Sequence, residues 1–105
     1  MKTGVKGGQY KVLSRGEVEK AHEAVLEVLE RIGVKVSHDR ILRLLDRSGA
    51  DVDYRTKIVK MPSNLVEECI KKAPESVRIS GRNPENDLML EGMNAFFGMG
   101  SGTTY

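Results

Sequence analysis

Residues 14–33 read SRGEVEKAHEAVLEVLERIG, and this stretch defines the first element of the fold. Ser14 followed by Glu17 is the capping-box pattern that marks the start of a helix. Apolar residues then recur at the i, i+3, i+4 spacing of one helical face: Val18, Ala21, Val25, Leu29 and Ile32. Gly33 stands where a left-handed residue commonly ends a helix. The stretch therefore predicts an amphipathic helix whose apolar face packs on a core.

Two further helices are predicted downstream of this one. Ser37 is expected to cap the second helix, which closes at Gly49. Pro62 opens the third helix, and Pro74 ends it because proline cannot continue a helix. Three segments between the helices read as extended: residues 34–36, 50–54 and 57–61, with a turn at Arg55-Thr56 between the last two.

After Pro74 the apolar period changes from that of a helix to that of a strand. Val77 and Ile79 alternate with polar residues, and the turn-forming stretch GRNPEND follows at residues 81–87. Apolar alternation resumes around residues 88–90, Gly92 interrupts it, and residues 94–97 are predicted as a last strand. The sequence thus predicts an α+β fold in which three short helices are followed by a small antiparallel β-meander.

Length and charge suggest how the chain is divided. At 105 residues it is one domain or part of one. Residues 1–13 are predicted as a flexible basic arm, because their charged residues are all lysines. Residues 14–97 are predicted as a single α+β domain, and residues 98–105 as a glycine-rich tail.

The composition excludes several functional classes. Seventeen Lys and Arg against fifteen Asp and Glu give a net charge of +2, which is too small to indicate nucleic-acid binding. Cys69 is the only cysteine, so neither an internal disulfide nor a thiolate metal cluster is expected. No stretch approaches the roughly 18 apolar residues of a membrane span. These features predict a cytoplasmic protein without a metal site.

Five titratable residues are candidates for catalysis or metal binding. His22 lies beside the apolar face of the first helix and is expected to be a half-buried structural residue. His38 is expected to be exposed, and Cys69 is expected in the core, on the apolar side of the third helix. Asp51 and Asp53 flank Val52 and are expected on a solvated strand face, because a third oxygen ligand at matching spacing is missing.

Residues near the last turn and at the C-terminus were weighed in the same way. Arg82 is expected to stabilise the turn that contains Asp87, although it has the chemistry to bind an anion. Packing is the role expected for three methionines: Met89, Met93 and Met99.

The tail carries alternating glycines. Gly98, Gly100 and Gly102 lack the lysine and the following helix of a phosphate-binding loop. They are weak candidates for substrate binding, where a close approach of the backbone needs absent side chains.

Several stretches together resemble a known family. They are VLEVLERIGVKV (25–36), LLDRSGADVD (44–53) and IVKMPSNLVEECIKKAPESVRISGRNPENDLML (58–90). Their order and spacing over residues 14–97 resemble the start of trimethylamine methyltransferase-like proteins, which include corrinoid-dependent enzymes for trimethylamine and glycine betaine.

This resemblance implies a larger enzyme with a TIM-type barrel, a fold of about 250 residues. The chain would be its amino-terminal portion and inactive alone. The family moves a methyl group from a methylated amine to the cobalt of a corrinoid protein, so the corrinoid would be carried by a partner and not by this chain. In the trimethylamine branch a pyrrolysine acts beyond the segment matched here. The resemblance assigns no catalytic residue and no metal ligand to this sequence.

An alternative remains open. The chain is also consistent with a free-standing, non-catalytic module that binds a protein partner or itself through its first helix and last strand. A homo-oligomer is expected, because exposure of the apolar surface that a barrel would cover favours association. Binding of RNA by the basic arm is a weaker third alternative.

Overall fold

The computed structural model describes residues 1–98 and residue 100, and within them the α+β class is confirmed. This part of the chain holds three helices and three antiparallel sheets. The helices are α1 (Arg15–Arg31), α2 (Asp39–Arg47) and α3 (Ser63–Lys72). The strands are β1 (Val5–Lys6), β2 (Val34–Lys35), β3 (Asp51–Asp53), β4 (Ile58–Lys60), β5 (Ser76–Ile79), β6 (Leu88–Glu91) and β7 (Asn94–Ala95). None of the described helices is both long enough and apolar enough to cross a membrane.

Residue contacts divide the chain into two compact units. Leu13–Ala73 form what we call the helical unit, and Met1–Val12 together with Pro74–Tyr105 form the hairpin unit. The predicted basic arm, residues 1–13, supplies strand β1 to the hairpin unit. A single folding domain over 14–97 stays a prediction, because two contact-defined units can fold together.

The helical unit is built on a three-stranded antiparallel sheet in the order β2-β4-β3. Val59, in the central strand, pairs with Val34 on one side and Val52 on the other, and its side chain is fully buried. Leu42 from α2 and Ala50 complete the buried core. Partly buried side chains surround these three: Val36, Leu45, Val52, Met61 and Leu65.

Helix α1 begins and ends as the sequence predicts. The Ser14 hydroxyl accepts a hydrogen bond from the Glu17 backbone N–H, and the Glu17 carboxylate accepts one from the Ser14 backbone N–H at 2.7 Å. Gly33 follows the helix with a φ of +82°. A Cβ atom at this position would lie 2.5 Å from the Val59 carbonyl oxygen, so only glycine fits the turn into β2.

The apolar face of α1 is not buried as predicted. Leu29 is half-buried, whereas Val25 is 53% exposed and Ile32 is 67% exposed. The helix contacts the rest of its unit through one edge of its apolar face, where the half-buried side chains of Leu26 and Leu29 lie. A core with three buried side chains is too small to cover the whole apolar face of α1.

Two expectations for the other helices were wrong. His38, and not Ser37, occupies the N-cap of α2, and it makes no side-chain capping bond. Cys69 is exposed, because the half-buried residues of α3 lie in its first turns and the helix is exposed from residue 68 onward.

The hairpin unit contains two two-stranded sheets. β5 and β6 pair antiparallel, from Ser76 opposite Glu91 to Ile79 opposite Leu88. The predicted turn between them contains a single 3-10 turn at Pro84–Asn86. Strand β7 pairs with β1, so the last strand takes its partner from the N-terminus of the chain.

Candidate functional site

Asp87 is the buried charged group of the described residues, with 3% of its surface exposed. Its Oδ2 accepts hydrogen bonds from two guanidinium nitrogens of Arg78, one of them the Nε–H at 2.8 Å. Its Oδ1 accepts the Gly81 backbone N–H at 2.9 Å, and its carbonyl oxygen accepts the Lys2 backbone N–H at 2.8 Å. The Arg78 bond, and then the Gly81 bond, lower the pKa of Asp87 below its ordinary value. With its acceptors satisfied, Asp87 is a structural clamp and not a free acid or base.

The turn salt bridge therefore forms with a different arginine from the one expected. Arg82 joins none of the ion pairs found among residues 1–98 and 100, whereas Arg78 on β5 reaches across the hairpin to Asp87. Strand geometry explains the difference, because β5 and β6 are paired up to Ile79 and Leu88, which brings Arg78 alongside the start of the next strand.

His22 meets a carboxylate that sequence reasoning did not identify. Its Nε2 lies 2.7 Å from Glu67 Oε1, so the ring N–H donates to the carboxylate and joins α1 to α3. Both side chains are 41% exposed, which agrees with the expected half-buried position of His22. A carboxylate that orients an imidazole is part of many general-base sites, but such a site also needs a nucleophile or substrate pocket. The pair as it stands is a polar link between two helices.

Asp51 and Asp53 both lie on β3 and are exposed, as expected. Asp53 Oδ1 accepts the backbone N–H groups of Arg55 and Thr56, which lowers the pKa of Asp53 and fixes the turn before β4. Asp51 faces Lys60 across the sheet. Among the described residues, no three His, Cys, Asp or Glu side chains converge to hold a metal ion.

Of the candidate tail glycines, Gly98 and Gly100 lie within the described residues and Gly102 lies outside them. Met99, one of the three methionines expected to pack, also lies outside the described residues. Both described glycines are exposed. A Cβ atom added at either position would meet no atom within 4 Å. Within residues 1–98 and 100, no contact requires glycine at either position.

The exposed part of the apolar face of α1 has no partner within the helical unit. We call it the α1 stripe, and it consists of Val18, Ala21, Val25, Val28 and Ile32. Its members follow the alternating three- and four-residue spacing of a helix that packs against another helix. The four larger side chains are between 48% and 67% exposed. This geometry fits association with an apolar surface.

Three contributors to these arrangements were missed from the sequence. Glu67 is 45 positions from His22, and nothing in the local pattern links the two. Val28 was left out of the predicted α1 face, although its spacing from Val25 and Ile32 was the available signal. Arg78 was considered only as the polar side of a strand.

Comparison with known proteins yields one family and two curated relatives. Residues 3–105 match the sequence model of the family described as "Trimethylamine methyltransferase (MTTB)". Trimethylamine methyltransferase MttB of Desulfitobacterium hafniense strain DCB-2 is 39% identical to the chain over 89 residues, which are 84% of this chain and 18% of the relative. Glycine betaine methyltransferase of D. hafniense strain Y51 is 32% identical over 97 residues, which are 92% of this chain and 20% of the relative. The chain thus spans about a fifth of the length of either relative.

Proposed function

The chain belongs to the trimethylamine methyltransferase family, and from that premise we propose that it is the amino-terminal segment of an enzyme that demethylates a methylated amine. The observation that carries the proposal is the family match over residues 3–105, together with two relatives that are both named as methyltransferases of N-methylated compounds. The substrate is of the trimethylamine or glycine betaine type, and the methyl group passes to a corrinoid protein in the cytoplasm.

The described residues do not fit a corrinoid, so the cofactor belongs to the partner. A corrinoid needs an enclosed apolar pocket and, commonly, a histidine to face the metal. In this chain His22 Nε2 is bonded to Glu67 and His38 lies on the exposed surface. The contribution of the segment is therefore structural, with the exposed α1 stripe packing against the remainder of the enzyme.

The tail glycines are the part of the segment proposed to border the substrate. Among the described residues, no atom would clash with a side chain at Gly98 or Gly100, so we expect valine at residue 100 to leave folding unchanged. In the complete enzyme we expect Gly100→Val to raise the KM for the amine. An unchanged KM and kcat would show that the tail does not border the substrate site.

A chimeric enzyme tests the proposed function. In it, the 89 matching residues of the relative from strain DCB-2 are replaced by the corresponding residues of this chain. The assay follows methylation of free cob(I)alamin by trimethylamine and by glycine betaine, with the parent enzyme and a version lacking the segment as controls. We expect methyl transfer by the chimeric enzyme and none by the version without the segment. A chimeric enzyme that unfolds as cooperatively as its parent but transfers no methyl group would contradict the proposal.

The α1 stripe favours a second candidate function, a non-catalytic module that associates with itself. Val18, Val25 and Ile32 hold the a positions of a heptad pattern, where β-branched residues favour two-stranded coiled coils. Sedimentation equilibrium of the 105-residue chain tests this. We expect a dimer that Val25→Glu converts to a monomer, while Lys20→Glu on the polar side of α1 leaves it unchanged. A chain that is monomeric at every concentration would exclude self-association.

A further inference from the structure

Helix α2 presents a second exposed face with a different composition from the α1 stripe. We call it the arginine face, and it consists of Arg40, Ile41, Arg43, Leu44 and Arg47. At about 100° per residue these five side chains occupy an arc of about 160°, and Leu42 and Leu45 lie on the other side against the core. All five are exposed, with Ile41 at 44% and Leu44 at 62%. Together with His38 they line a surface depression of about 600 Å³.

The positive charge of this face is not neutralised by its own helix. Within residues 1–98 and 100, the guanidinium groups of Arg40, Arg43 and Arg47 take part in no ion pair or side-chain hydrogen bond. The two acidic residues of α2 are used elsewhere. Lys57 Nζ lies 3.4 Å from Asp39 Oδ1, and the Tyr54 hydroxyl donates to Asp46 Oδ2 at 2.6 Å. The face therefore offers three positive charges around two aliphatic side chains.

This composition distinguishes a transient docking surface from a permanently covered one. Burying three arginines permanently would require a carboxylate partner for each, since an unpaired buried charge is costly. Protein–protein interfaces are enriched in arginine and depleted in lysine relative to the rest of the surface. The arginine face has that composition, whereas the uncharged α1 stripe suits permanent burial. Its exposed Ile41 and Leu44 also favour a protein partner over RNA, whose phosphates offer nothing to aliphatic side chains.

We propose that the arginine face of α2 docks an acidic surface of the protein that brings the methyl acceptor to the enzyme. The inference rests on the proposed function, which requires a carrier that binds and leaves at each turnover. Carboxylates on the carrier meet Arg40, Arg43 and Arg47, and an apolar side chain sits between them on Ile41 and Leu44. Charge complementarity of this kind mainly accelerates encounter and weakens with salt.

The test uses the chimeric enzyme and the corrinoid protein that serves its parent. The variant Arg40→Glu/Arg43→Glu/Arg47→Glu reverses the charge of the arginine face. The matched control Lys20→Glu/Lys71→Glu/Lys72→Glu makes the same change in net charge at exposed lysines of α1 and α3. Three quantities are measured: the Kd of the corrinoid protein by calorimetry, the KM for it at low and high salt, and kcat with free cob(I)alamin.

We expect the arginine variant to raise both the Kd and the KM for the corrinoid protein by about tenfold or more at low salt, with a smaller difference near 0.5 M salt. Its kcat with free cob(I)alamin and its melting temperature should equal those of the control. Unchanged Kd and KM would overturn the docking inference and leave the proposed function intact. A lowered melting temperature of the arginine variant would show that the face is buried inside the enzyme. A larger loss of affinity for a 20-nucleotide RNA than for the corrinoid protein would assign the face to RNA binding. Either result overturns the inference. Lack of methyl transfer to free cob(I)alamin in all variants would instead contradict the proposed function.

Discussion

At the scale of single residues, the hairpin unit depends on one carboxylate. Asp87 accepts side-chain bonds from Arg78 and a backbone bond from Gly81, and it is nearly fully buried. Such a group can be neither protonated nor replaced without leaving a donor unpaired. The same bonds explain why the pKa of Asp87 lies below its ordinary value of 3.8.

This shift makes the hairpin unit sensitive to acid in a defined direction. Because the folded pKa of Asp87 is lowered, its stabilising effect is complete above the ordinary value of 3.8 and is lost as the pH falls through the lower folded value. We expect the Gly81 amide resonance to titrate with a midpoint below 3.8 when followed by NMR. Asp87→Asn should abolish this titration and speed amide exchange in β5 and β6. Asparagine keeps one acceptor oxygen where Asp87 uses two, so it cannot accept from both Arg78 and Gly81, and it also loses the negative charge that faces Arg78. A midpoint at or above 3.8 would mean that the clamp does not form.

At the scale of elements, the start of α1 is held by its side-chain cap and the start of α2 is not. Ser14 accepts the Glu17 N–H, whereas Ser37 precedes an N-cap residue, His38, that makes no capping bond. We expect Ser14→Ala to destabilise the helical unit by about 1 kcal/mol. Ser37→Ala should change the free energy of unfolding of the helical unit by only a few tenths of the change caused by Ser14→Ala. Urea unfolding of both variants measures the difference, and equal effects would contradict the capping assignment.

The two faces of α2 allow a second matched comparison. Leu42 is 1% exposed and touches Ala50 and Val59, while Leu44 is 62% exposed. We expect Leu42→Ala to reduce the free energy of unfolding by about 2–4 kcal/mol, through lost burial and the cavity that remains. Leu44→Ala should cost about 0.5 kcal/mol or less. Similar losses for both variants would show that α2 packs in another orientation.

Local signals in the sequence were enough to predict most elements. The Ser14–Glu17 pattern, Gly33, Gly49 and Pro74 mark boundaries by local backbone chemistry, and the predicted α+β class is confirmed. Long-range pairings were not predictable in this way, because the sequence has no local record of which elements meet. The His22–Glu67 pair and the β1–β7 pairing both join residues whose neighbours in the chain give no hint of the partner.

The exposure of the α1 stripe shows a related limit. Periodicity identifies an apolar face but not what covers it, and here the core of the helical unit covers one edge. The candidate tail glycines have the same limitation. Their spacing suggests a close approach to a ligand, yet a Cβ atom added at Gly98 or Gly100 would meet no atom of the described residues within 4 Å.

At the scale of the whole molecule, we propose that the chain is one part of a larger methyltransferase. The relatives are about five times longer, and the apolar stripe of α1 is uncovered. Each of these observations fits a segment whose surface is completed by further polypeptide. They would be unexpected in an independent module that works as a monomer.

Hydrogen exchange of the α1 backbone amides tests this claim most directly. The rates are compared between the isolated 105-residue chain, at a concentration where it is monomeric, and the chimeric enzyme. If the remainder of the enzyme covers Val18, Val25, Val28 and Ile32, exchange in α1 should slow by about a hundredfold or more, because burying four half-exposed side chains adds several kcal/mol of local stability. Equal exchange rates in the two proteins would contradict the account and identify the chain as a free-standing module.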